Sequence, residues 1–458
     1  MKLDYDQLAE WDKEYVWHPF TQMQTWNTED PLIIERGEGS YLIDVQGNRY
    51  LDGTSSLWVT VHGHAHPILT QAIKDQVDKI AHTTLLGLAN VPSIQLAKKL
   101  VEITPSGLTK VFYSDAGATS VEIALKIAYQ YWHQQSDLQE RQKKKKFISL
   151  EDAYHGDTVG TISVGGMGLV HATYRDLLFE GYRVPSPHCY RCPLDQEREQ
   201  CNLACLQAVE DLMAEHHKEI AGMIIEPLVQ GAAGMITAPA GYLRKIRELC
   251  TKYNILMIAD EVAVGFGRTG TLFACEQEGV SPDIMCIAKG LTGGYLPLAA
   301  TLTTETIFRA FLGEPRERKT FFHGHTFTGN PVGCAVALAN IEVIEQTGLI
   351  QHIKDSARML SGELESFKSL SHVGNIRQRG LMVGIELVRD KQTKEPYPLE
   401  ETMGHQVILE ARRNGLIIRP LGNVLVLMPI LAMSEEELRQ MLAITYQAIK
   451  DVTERESQ

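Results

Sequence analysis

Short apolar runs that alternate with amphipathic segments dominate the middle of this sequence. The runs read KVFYSD, KKFISL, GMIIEP, ILMIADEV and DIMCIAKG. Segments with helical periodicity, such as VEIALKIAYQYW, separate them. Short, continuously apolar strands between helices are typical of a mainly parallel sheet that is buried on both faces. The sequence therefore predicts an α/β fold built on one large sheet.

The two ends of the chain follow another pattern. Near the N-terminus, PLIIERGEG and SYLIDVQGNRYLDG alternate apolar and turn residues, which predicts a small antiparallel sheet. After about residue 340, helices mix with short strands such as LIIRPL and VLVLMP. A chain of 458 residues exceeds the roughly 250–300 residues that one core holds. We expect a large α/β domain (67–340) and a smaller α+β domain formed by both chain ends (341–458, with the N-terminal segment 1–66).

The composition disfavours several classes of partner. A net charge of −13 argues against nucleic acid and anionic membrane surfaces. No apolar run approaches the ~18 residues of a membrane span. The N-terminal MKLDYDQLAEWDKEY is acidic and amphipathic, unlike a signal peptide. We expect a cytoplasmic protein without nucleic-acid or membrane partners, whose eight cysteines are reduced thiols.

Charged residues directly follow two of the apolar runs. Asp260 comes after ILMIA, and Lys289 comes after DIMCIA, one strand–helix–strand unit later. Ligands of open α/β sheets bind beyond the carboxyl ends of the strands, so both residues are candidates for a binding site. A desolvated lysine in such a place can form a Schiff base, and a buried carboxylate needs a cationic or proton-donating partner. A structural ion pair is the alternative interpretation of these two residues alone.

A candidate anion site precedes them in the chain. Residues 116–120, AGATS, lie between KVFYSD and a helical segment. Small residues that open a helix expose backbone N–H groups to an anion, although an ordinary strand–turn–helix corner looks the same. A lysine, an acid and an anion site are the set that pyridoxal 5'-phosphate (PLP) requires. The combination predicts a PLP site.

Two other motifs suggest different ligands. GFGRTG (265–270) matches the dinucleotide fingerprint, which leaves a nicotinamide-dependent oxidoreductase as a remote alternative. The following TLFACEQEGVSP leaves little room for the long helix that this fingerprint requires. One loop also carries four thiols with poor spacing for zinc. We expect this loop to be reduced and metal-free, and the site to hold no metal; the thiols are Cys189, Cys192, Cys201 and Cys205.

Five longer motifs resemble those of the class III (ω-amino acid) aminotransferases, a fold-type I PLP family. They read YSDAGATSVEIALK, AYHGDT, IADEVAVGFGRTG, IAKGLTGGYLPLAA and HGHTFTGNPVGCAVAL, in family order across nearly the whole chain. The resemblance implies a PLP-dependent transferase that binds a small keto acid and an amino donor. It also implies a homodimer with shared active sites. Another ω-aminotransferase or an aminomutase of the same class fits these motifs too.

The resemblance implies a role for individual residues. Lys289 would form the covalent Schiff base and move protons, and Asp260 would keep the pyridine nitrogen protonated. Tyr154 would stack on the ring, so these three residues are the expected catalytic group. Glu226 and Gln230 match positions that line the pocket. The other expected cofactor contacts are Gly117, Ala118, His155, His325 and Thr326, the last of these reaching the phosphate of the neighbouring subunit.

Within the family, the sequence is most similar to the biotin-pathway branch, which acts on a long aliphatic keto acid. WHPFTQM, SSLWVTVHGHAHP and IIRPLG carry this similarity. Arg419 matches the arginine that grips the substrate carboxylate, a group suited to a guanidinium. The implied substrate site consists of Phe20, Leu57, Trp58, Tyr154, Gly324 and Arg419.

The amino donor is predicted from three departures from the family pattern. Members that use S-adenosylmethionine commonly carry tyrosine, tryptophan and tyrosine where this chain has Phe20, Leu57 and Val426. The pattern here is closer to the Bacillus-type members that take the amino group from lysine. We therefore expect lysine to be the donor.

Overall fold

A seven-stranded mixed sheet forms the centre of the protein. The computed structural model describes residues 4–134 and 143–454. From edge to edge, the strands are Leu108–Ser114, Ala299–Thr304, Ile284–Ile287, Leu256–Asp260, Ile220–Ile225, Lys146–Leu150 and Tyr182–Val184. Only Ala299–Thr304 runs antiparallel to its neighbours. All five apolar runs are strands of this sheet, which confirms the predicted mainly parallel α/β fold.

The inner strands are buried on both faces, as their continuous apolar sequence requires. Every residue of Ile220–Ile225, Leu256–Asp260 and Ile284–Ile287 is buried. Helix Gly117–Gln134 covers one face of these strands and buries an apolar stripe that includes Val121, Ala128 and Trp132. Such burial on both faces is the usual state of a parallel sheet, because its crossover helices pack on both sides.

Helices connect and cover the sheets. The α-helices are Tyr5–Tyr15, Met23–Trp26, Ser55–Trp58, Pro67–Lys79, Val91–Ile103, Gly117–Gln134, Val159–Val164, Gly168–His171, Ala204–His216, Tyr242–Lys252, Glu305–Arg309, Pro331–Gln346, Leu349–Leu364, Met403–Arg413 and Glu435–Thr453. Short 3-10 helices occupy Ala172–Leu177, Ala274–Glu278, Lys289–Thr292, Pro315–Glu317, Glu365–Ser369 and Leu399–Glu401.

The two chain ends meet in a smaller sheet. Its strands Ile34–Glu38, Tyr41–Asp44 and Arg49–Asp52 are antiparallel, as the alternating N-terminal pattern predicts. The C-terminal strand Leu416–Ile417 pairs in parallel with Arg49–Asp52. The fold therefore joins both ends of the chain, while the exact domain limits stay a prediction.

A second small sheet lies wholly in the C-terminal part. Its main strands run in the order Val373–Arg379, Met382–Asp390, Val424–Leu427 and Arg419–Leu421. Glu395–Pro396 adds an edge strand next to Met382–Asp390, and Val229–Gln230 forms a separate two-stranded ribbon with Ile236–Thr237.

No single helix in the described ranges is long and apolar enough to cross a membrane. One pair of consecutive helical segments, 331–346 and 349–369, which meet at a bend of 65°, is together long and apolar enough by length and composition only.

Candidate active site

A cavity of about 550 Å³ opens at the carboxyl ends of the central strands. Asp260 ends its strand, and Lys289 follows the neighbouring parallel strand, in which Cys286 is the register partner of Asp260. Parallel pairing thus brings the two charged groups to the same edge of the sheet. The predicted site residues that line the cavity are Trp58, Gly117, Ala118, Tyr154, His155, Asp260 and Lys289.

The amine of Lys289 lies in a desolvated environment. Burial lowers its pKa, and the negative charges of Asp260 and Glu226 oppose this shift. Nζ is 5.1 Å from the centre of the Trp58 ring. The Lys289 backbone is left-handed, with φ of 46°, a strained conformation that often marks functional residues. A lowered pKa raises the fraction of neutral amine, which is the nucleophile in Schiff-base chemistry.

Asp260 is a buried carboxylate held by two donors. Oδ2 accepts a hydrogen bond from Nδ1 of His155 at 2.7 Å, and Oδ1 accepts one from the backbone N–H of Val262 at 3.1 Å. The imidazole must donate here because a carboxylate can only accept. A buried carboxylate is costly unless it is paired. Asp260 is thus oriented as a counter-ion for a cationic ligand atom in the cavity.

The start of helix Gly117–Gln134 forms another part of the cavity wall. A Cβ on Gly117 would lie 2.5 Å from Cγ1 of Val262, so only glycine fits there. A Cβ on Gly156, which has φ of 125°, would lie 2.5 Å from Cβ of Ala118. The first N–H groups of a helix have no partner within the helix, and its dipole favours anions. This corner has the chemistry of a phosphate site.

Tyr154 and Glu226 form part of the cavity wall. The Tyr154 hydroxyl donates to Oδ2 of Asp157 at 2.7 Å, and its backbone N–H donates to Oε1 of Glu226 at 3.2 Å. Burial and the charge of Asp157 raise the pKa of Tyr154, so its hydroxyl keeps its proton at neutral pH. Burial raises the pKa of Glu226 to about 7. The wall therefore contains a carboxyl group that titrates near neutrality.

These residues fit pyridoxal phosphate. One cavity of ligand size is lined by a lysine with a lowered pKa, a paired carboxylate and a helix N-terminus. The helix begins at Gly117, where the surroundings leave no room for a Cβ. The lysine, the carboxylate and the helix N-terminus correspond to the covalent anchor, the partner of the ring nitrogen and the phosphate site.

Two acidic residues of the cavity were missed by the sequence reasoning. Asp115 and Asp157 both line it. Asp115 ends the run KVFYSD just as Asp260 ends ILMIAD, so the strand-end rule could have found it. Asp157 stands in the AYHGDT motif, three residues after Tyr154.

The remaining predicted substrate residues lie outside this cavity. Phe20 is 67% exposed and lines a neighbouring cavity of about 530 Å³, which shares Asp157 with the first. Leu57 is half exposed. Arg419 is exposed, and its positive charge acts on Tyr154. Gln230 donates its side-chain amide to the carbonyl of Glu151 and does not line the cavity.

The segment that carries Gly324, His325 and Thr326 also lies outside the cavity. Gly324 and Thr326 are exposed. His325 binds Oδ2 of Asp115 through Nδ1 at 2.8 Å, so it touches a wall residue without lining the cavity. One chain thus brings Lys289, Asp260 and Gly117 together at one cavity, but not this predicted segment.

Comparison with known families agrees with this geometry. The family model Aminotransferase class-III matches residues 23–449. The chain is a class III aminotransferase. Members of this family depend on pyridoxal phosphate, so the aminotransferase uses this cofactor, and the predicted fold type and enzyme class are confirmed.

Similar proteins cover almost the whole aminotransferase. An adenosylmethionine-8-amino-7-oxononanoate aminotransferase from Nitratidesulfovibrio vulgaris is 54% identical over 98% of this chain and 82% of its own. One of the same name from Anoxybacillus flavithermus is 54% identical over 98% of both chains.

Solved structures show the same fold. The adenosylmethionine-8-amino-7-oxononanoate aminotransferase of Methanocaldococcus jannaschii superposes with a TM-score of 0.93 at 48% identity, covering 98% of this chain and 100% of that one. An ω-transaminase of Pseudomonas jessenii, solved in complex with PMP, has a TM-score of 0.92 at 35% identity, covering 98% of each chain.

The nicotinamide alternative is wrong. GFGRTG follows a strand, but only a 3-10 helix of five residues, Ala274–Glu278, comes after it. A dinucleotide fold requires a long helix at this point. The family match assigns the same segment to an aminotransferase.

The cysteine loop has no clustered metal ligands. Among the described residues, no group of three or more His, Cys, Asp or Glu side chains is placed to hold a metal ion. The four thiols are free and partly buried, and burial raises the pKa of Cys205 to about 11. A metal-free loop stays our prediction.

Proposed function

We propose that this aminotransferase converts 8-amino-7-oxononanoate to 7,8-diaminononanoate in biotin biosynthesis. The observation that carries this proposal is the shared name of relatives that are about half identical over nearly the whole chain. The name of these relatives includes the amino acceptor, 8-amino-7-oxononanoate. The site must then accept a long, flexible chain that ends in a carboxylate.

The structure offers space for such a chain. The cavity beside the cofactor site shares Asp157 with it, and its other walls are largely apolar: Pro19, Phe20, Val159, Ile162, His171, Tyr174, Leu177 and Leu178. Apolar walls favour a methylene chain, since burial of each CH₂ contributes ~0.8 kcal/mol. Arg419 lies outside both cavities, with its charge acting on Tyr154. A guanidinium there suits the terminal carboxylate.

The chain's own residues divide the chemistry among them. When bound, pyridoxal phosphate supplies the electron sink through which an amino group passes between donor and acceptor. Lys289 is placed to anchor the cofactor and then to take and return a proton at Nζ. Asp260, fixed by His155, holds the proton on the ring nitrogen. Tyr154 stays a neutral hydroxyl and supports the ring.

We propose further that the enzyme is a homodimer. Large apolar side chains at Leu86, Leu88, Val91 and Ile94 are 88%, 62%, 66% and 59% exposed. Three of them line a groove with Gly324 and His325, next to the exposed Thr326. Contiguous exposed apolar surface marks an interaction site. A second copy of the chain bound at this groove would place Gly324 and Thr326 of the first copy beside the cofactor site of the second.

A different ω-aminotransferase activity is the second candidate, favoured by the TM-score of 0.92 to the Pseudomonas jessenii ω-transaminase. The deciding experiment measures amine transfer to 8-amino-7-oxononanoate and, in parallel, to short keto acids, with a panel of amino donors. We expect 8-amino-7-oxononanoate to have the highest kcat/KM, and Arg419→Met to raise its KM about tenfold or more. Equal kcat/KM for short acceptors would overturn the proposal.

A further inference from the structure

A chain of hydrogen bonds leads from the protein surface to the cofactor cavity. Nζ of Lys126 is 3.0 Å from Nδ1 of His323. Nε2 of His323 is 3.2 Å from Nε2 of His325, whose Nδ1 is 2.8 Å from Oδ2 of Asp115. Lys126 is exposed on helix Gly117–Gln134, and Asp115 lines the cavity beside the phosphate corner. The line therefore links two neighbouring histidines to Lys126 and Asp115, which precede them by 197 and 210 positions.

Only one arrangement of protons satisfies all three contacts. An ammonium can only donate and a carboxylate can only accept. Lys126 must therefore donate to a bare Nδ1 of His323. Asp115 must accept from a protonated Nδ1 of His325, and the His323 Nε2–H then donates to the bare Nε2 of His325. Each imidazole is neutral in this arrangement, and all three bonds point toward Asp115.

This chain of hydrogen bonds holds one side of the segment 321–326. Over residues 321–326 burial alternates: Phe321, His323 and His325 are half-buried, whereas Phe322, Gly324 and Thr326 are exposed. Phe321 packs edge-on against Phe112 with ring centres 5.3 Å apart. Alternate residues of the segment therefore face inward and outward. The inward side is held by the protein's own core, and the outward side presents the residues expected at the partner's cofactor.

We propose that Lys126, His323, His325 and Asp115 form a positioning chain that fixes segment 321–326 for the active site of the partner subunit, and that it does so only while both imidazoles are neutral. The inference rests on the proposed homodimer. These are positioning residues, since they act on the cofactor through the backbone of the segment they hold.

A single extra proton breaks the chain. A second proton on His323 would point N–H at the Lys126 ammonium. A second proton on His325 would force His323 into the other tautomer, with the same result. Besides these groups and Asp115, Glu122 is the charged side chain that acts on His323, and it favours protonation.

The sign of the pH dependence follows from these neighbours. Burial, Lys126 and His325 together lower the pKa of His323 from its ordinary 6.5. Neutral His323 therefore prevails at pH 7.5, and the chain is lost as the pH falls through the lowered pKa of His323.

The test compares cofactor release from the wild-type holoenzyme and from His323→Phe. Phenylalanine keeps a ring beside Phe321 and removes both hydrogen bonds. We expect the dissociation constant of the variant to exceed that of the wild type about tenfold at pH 7.5, and the ratio to approach one at pH 5.0. A role limited to packing would give a ratio that does not change with pH, and this result would overturn the proposal.

A second variant keeps the proposal testable if His323→Phe fails to fold. Lys126→Met removes both the hydrogen bond to His323 and the ammonium that a second proton on His323 would face. This variant should bind the cofactor more weakly than the wild type at pH 7.5, and its affinity should change less than that of the wild type between pH 7.5 and pH 5.0. Lys245→Met is the matched control, since Lys245 is 57% exposed on helix Tyr242–Lys252 and pairs with Glu248 at 2.7 Å, and it should behave like the wild type. A cofactor affinity and a pH dependence in Lys126→Met that equal those of the wild type would contradict the chain.

Sedimentation of the same samples separates this inference from the proposed dimer. A wild-type monomer with tight cofactor binding would contradict the dimer itself. A dimer whose profiles are unchanged in both variants would contradict only the positioning chain. Protection of segment 321–326 from hydrogen exchange, corrected for intrinsic rates, should follow the same pH dependence.

Discussion

Nδ1 of His155 lies 2.7 Å from Oδ2 of Asp260, and the two side chains are 0% and 5% exposed. The pair joins positions 105 residues apart. It fixes the orientation of the carboxylate before any ligand binds.

Asp260→Asn is expected to fold and bind pyridoxal phosphate but to lose about 10²–10³-fold in kcat. The amide is uncharged and cannot stabilise a protonated ring nitrogen. In the matched pair His155→Asn and His155→Leu, the asparagine variant should keep more activity because its amide can still donate to Asp260. Steady-state kinetics decides, and near-normal turnover in Asp260→Asn would remove Asp260 from the mechanism.

Lys289→Ala is expected to lose the absorbance band of the covalently bound cofactor and to drop in kcat by at least about 10³-fold. Covalent attachment and proton transfer are lost together in this variant. Lys98→Ala, on the surface, serves as the control. Persistence of the band in purified Lys289→Ala would show that another lysine is the anchor.

Glu226 makes stability depend on pH in a defined direction. Its pKa is raised from 4.5 to about 7 in the folded state. A raised pKa means that its contribution to stability is fully present below pH 4.5 and is lost as the pH rises through 7. Between pH 5 and pH 8 this loss amounts to about 2–3 kcal/mol.

Glu226→Gln, which cannot ionise, should escape this loss. Urea unfolding of the cofactor-free proteins measures it. Relative to the wild type, the variant should gain about 2–3 kcal/mol on going from pH 5 to pH 8. A difference that is constant with pH would mean that Glu226 does not titrate in this range.

Leu86→Glu is expected to weaken the dimer. Leu86 is 88% exposed beside the segment that carries Gly324, and a charge there would be desolvated at the contact. Sedimentation should show monomer for this variant at concentrations where the wild type is dimeric. Leu399→Glu is the control, because Leu399 is 59% exposed away from this groove. Dissociation by the control alone would place the interface elsewhere.

Lysine is expected to convert the enzyme to its amine form in a single turnover, and S-adenosylmethionine to react slowly. Val426 is fully buried in the core with Trp58, so this expectation rests on Phe20 and Leu57, which are exposed. Two missing contacts at about 1–3 kcal/mol each lower the affinity for S-adenosylmethionine by about a hundredfold or more. Fast conversion by S-adenosylmethionine and none by lysine would reject the prediction.

The Phe20→Tyr variant tests the same argument from the other side. Restoring a hydroxyl should improve the reaction with S-adenosylmethionine and leave the reaction with lysine nearly unchanged. Single-turnover rates with both donors provide the comparison.

The large fold and the charged residues at the edge of its sheet could be predicted because their signals are local. A run such as ILMIAD carries both the burial of a strand and the charged residue at its end. Parallel strands end at a common edge, so Asp260 and Lys289 could be placed together without knowledge of other contacts. The strand Ala299–Thr304, which runs antiparallel, and the edge strand Tyr182–Val184 were not predicted.

Contacts between residues that are distant in the chain could be read only from the fold. Local patterns in the sequence were enough to predict the α/β sheet and the placement of Asp260, Lys289 and Gly117 at one edge of it. Folding decided that His155 binds Asp260, that His325 reaches Asp115 across 210 positions, and that Val426 is buried in the core. Hydrogen bonds and packing depend on distances of a few ångströms, and periodicity along a chain specifies which face a residue occupies but not which distant side chain it meets.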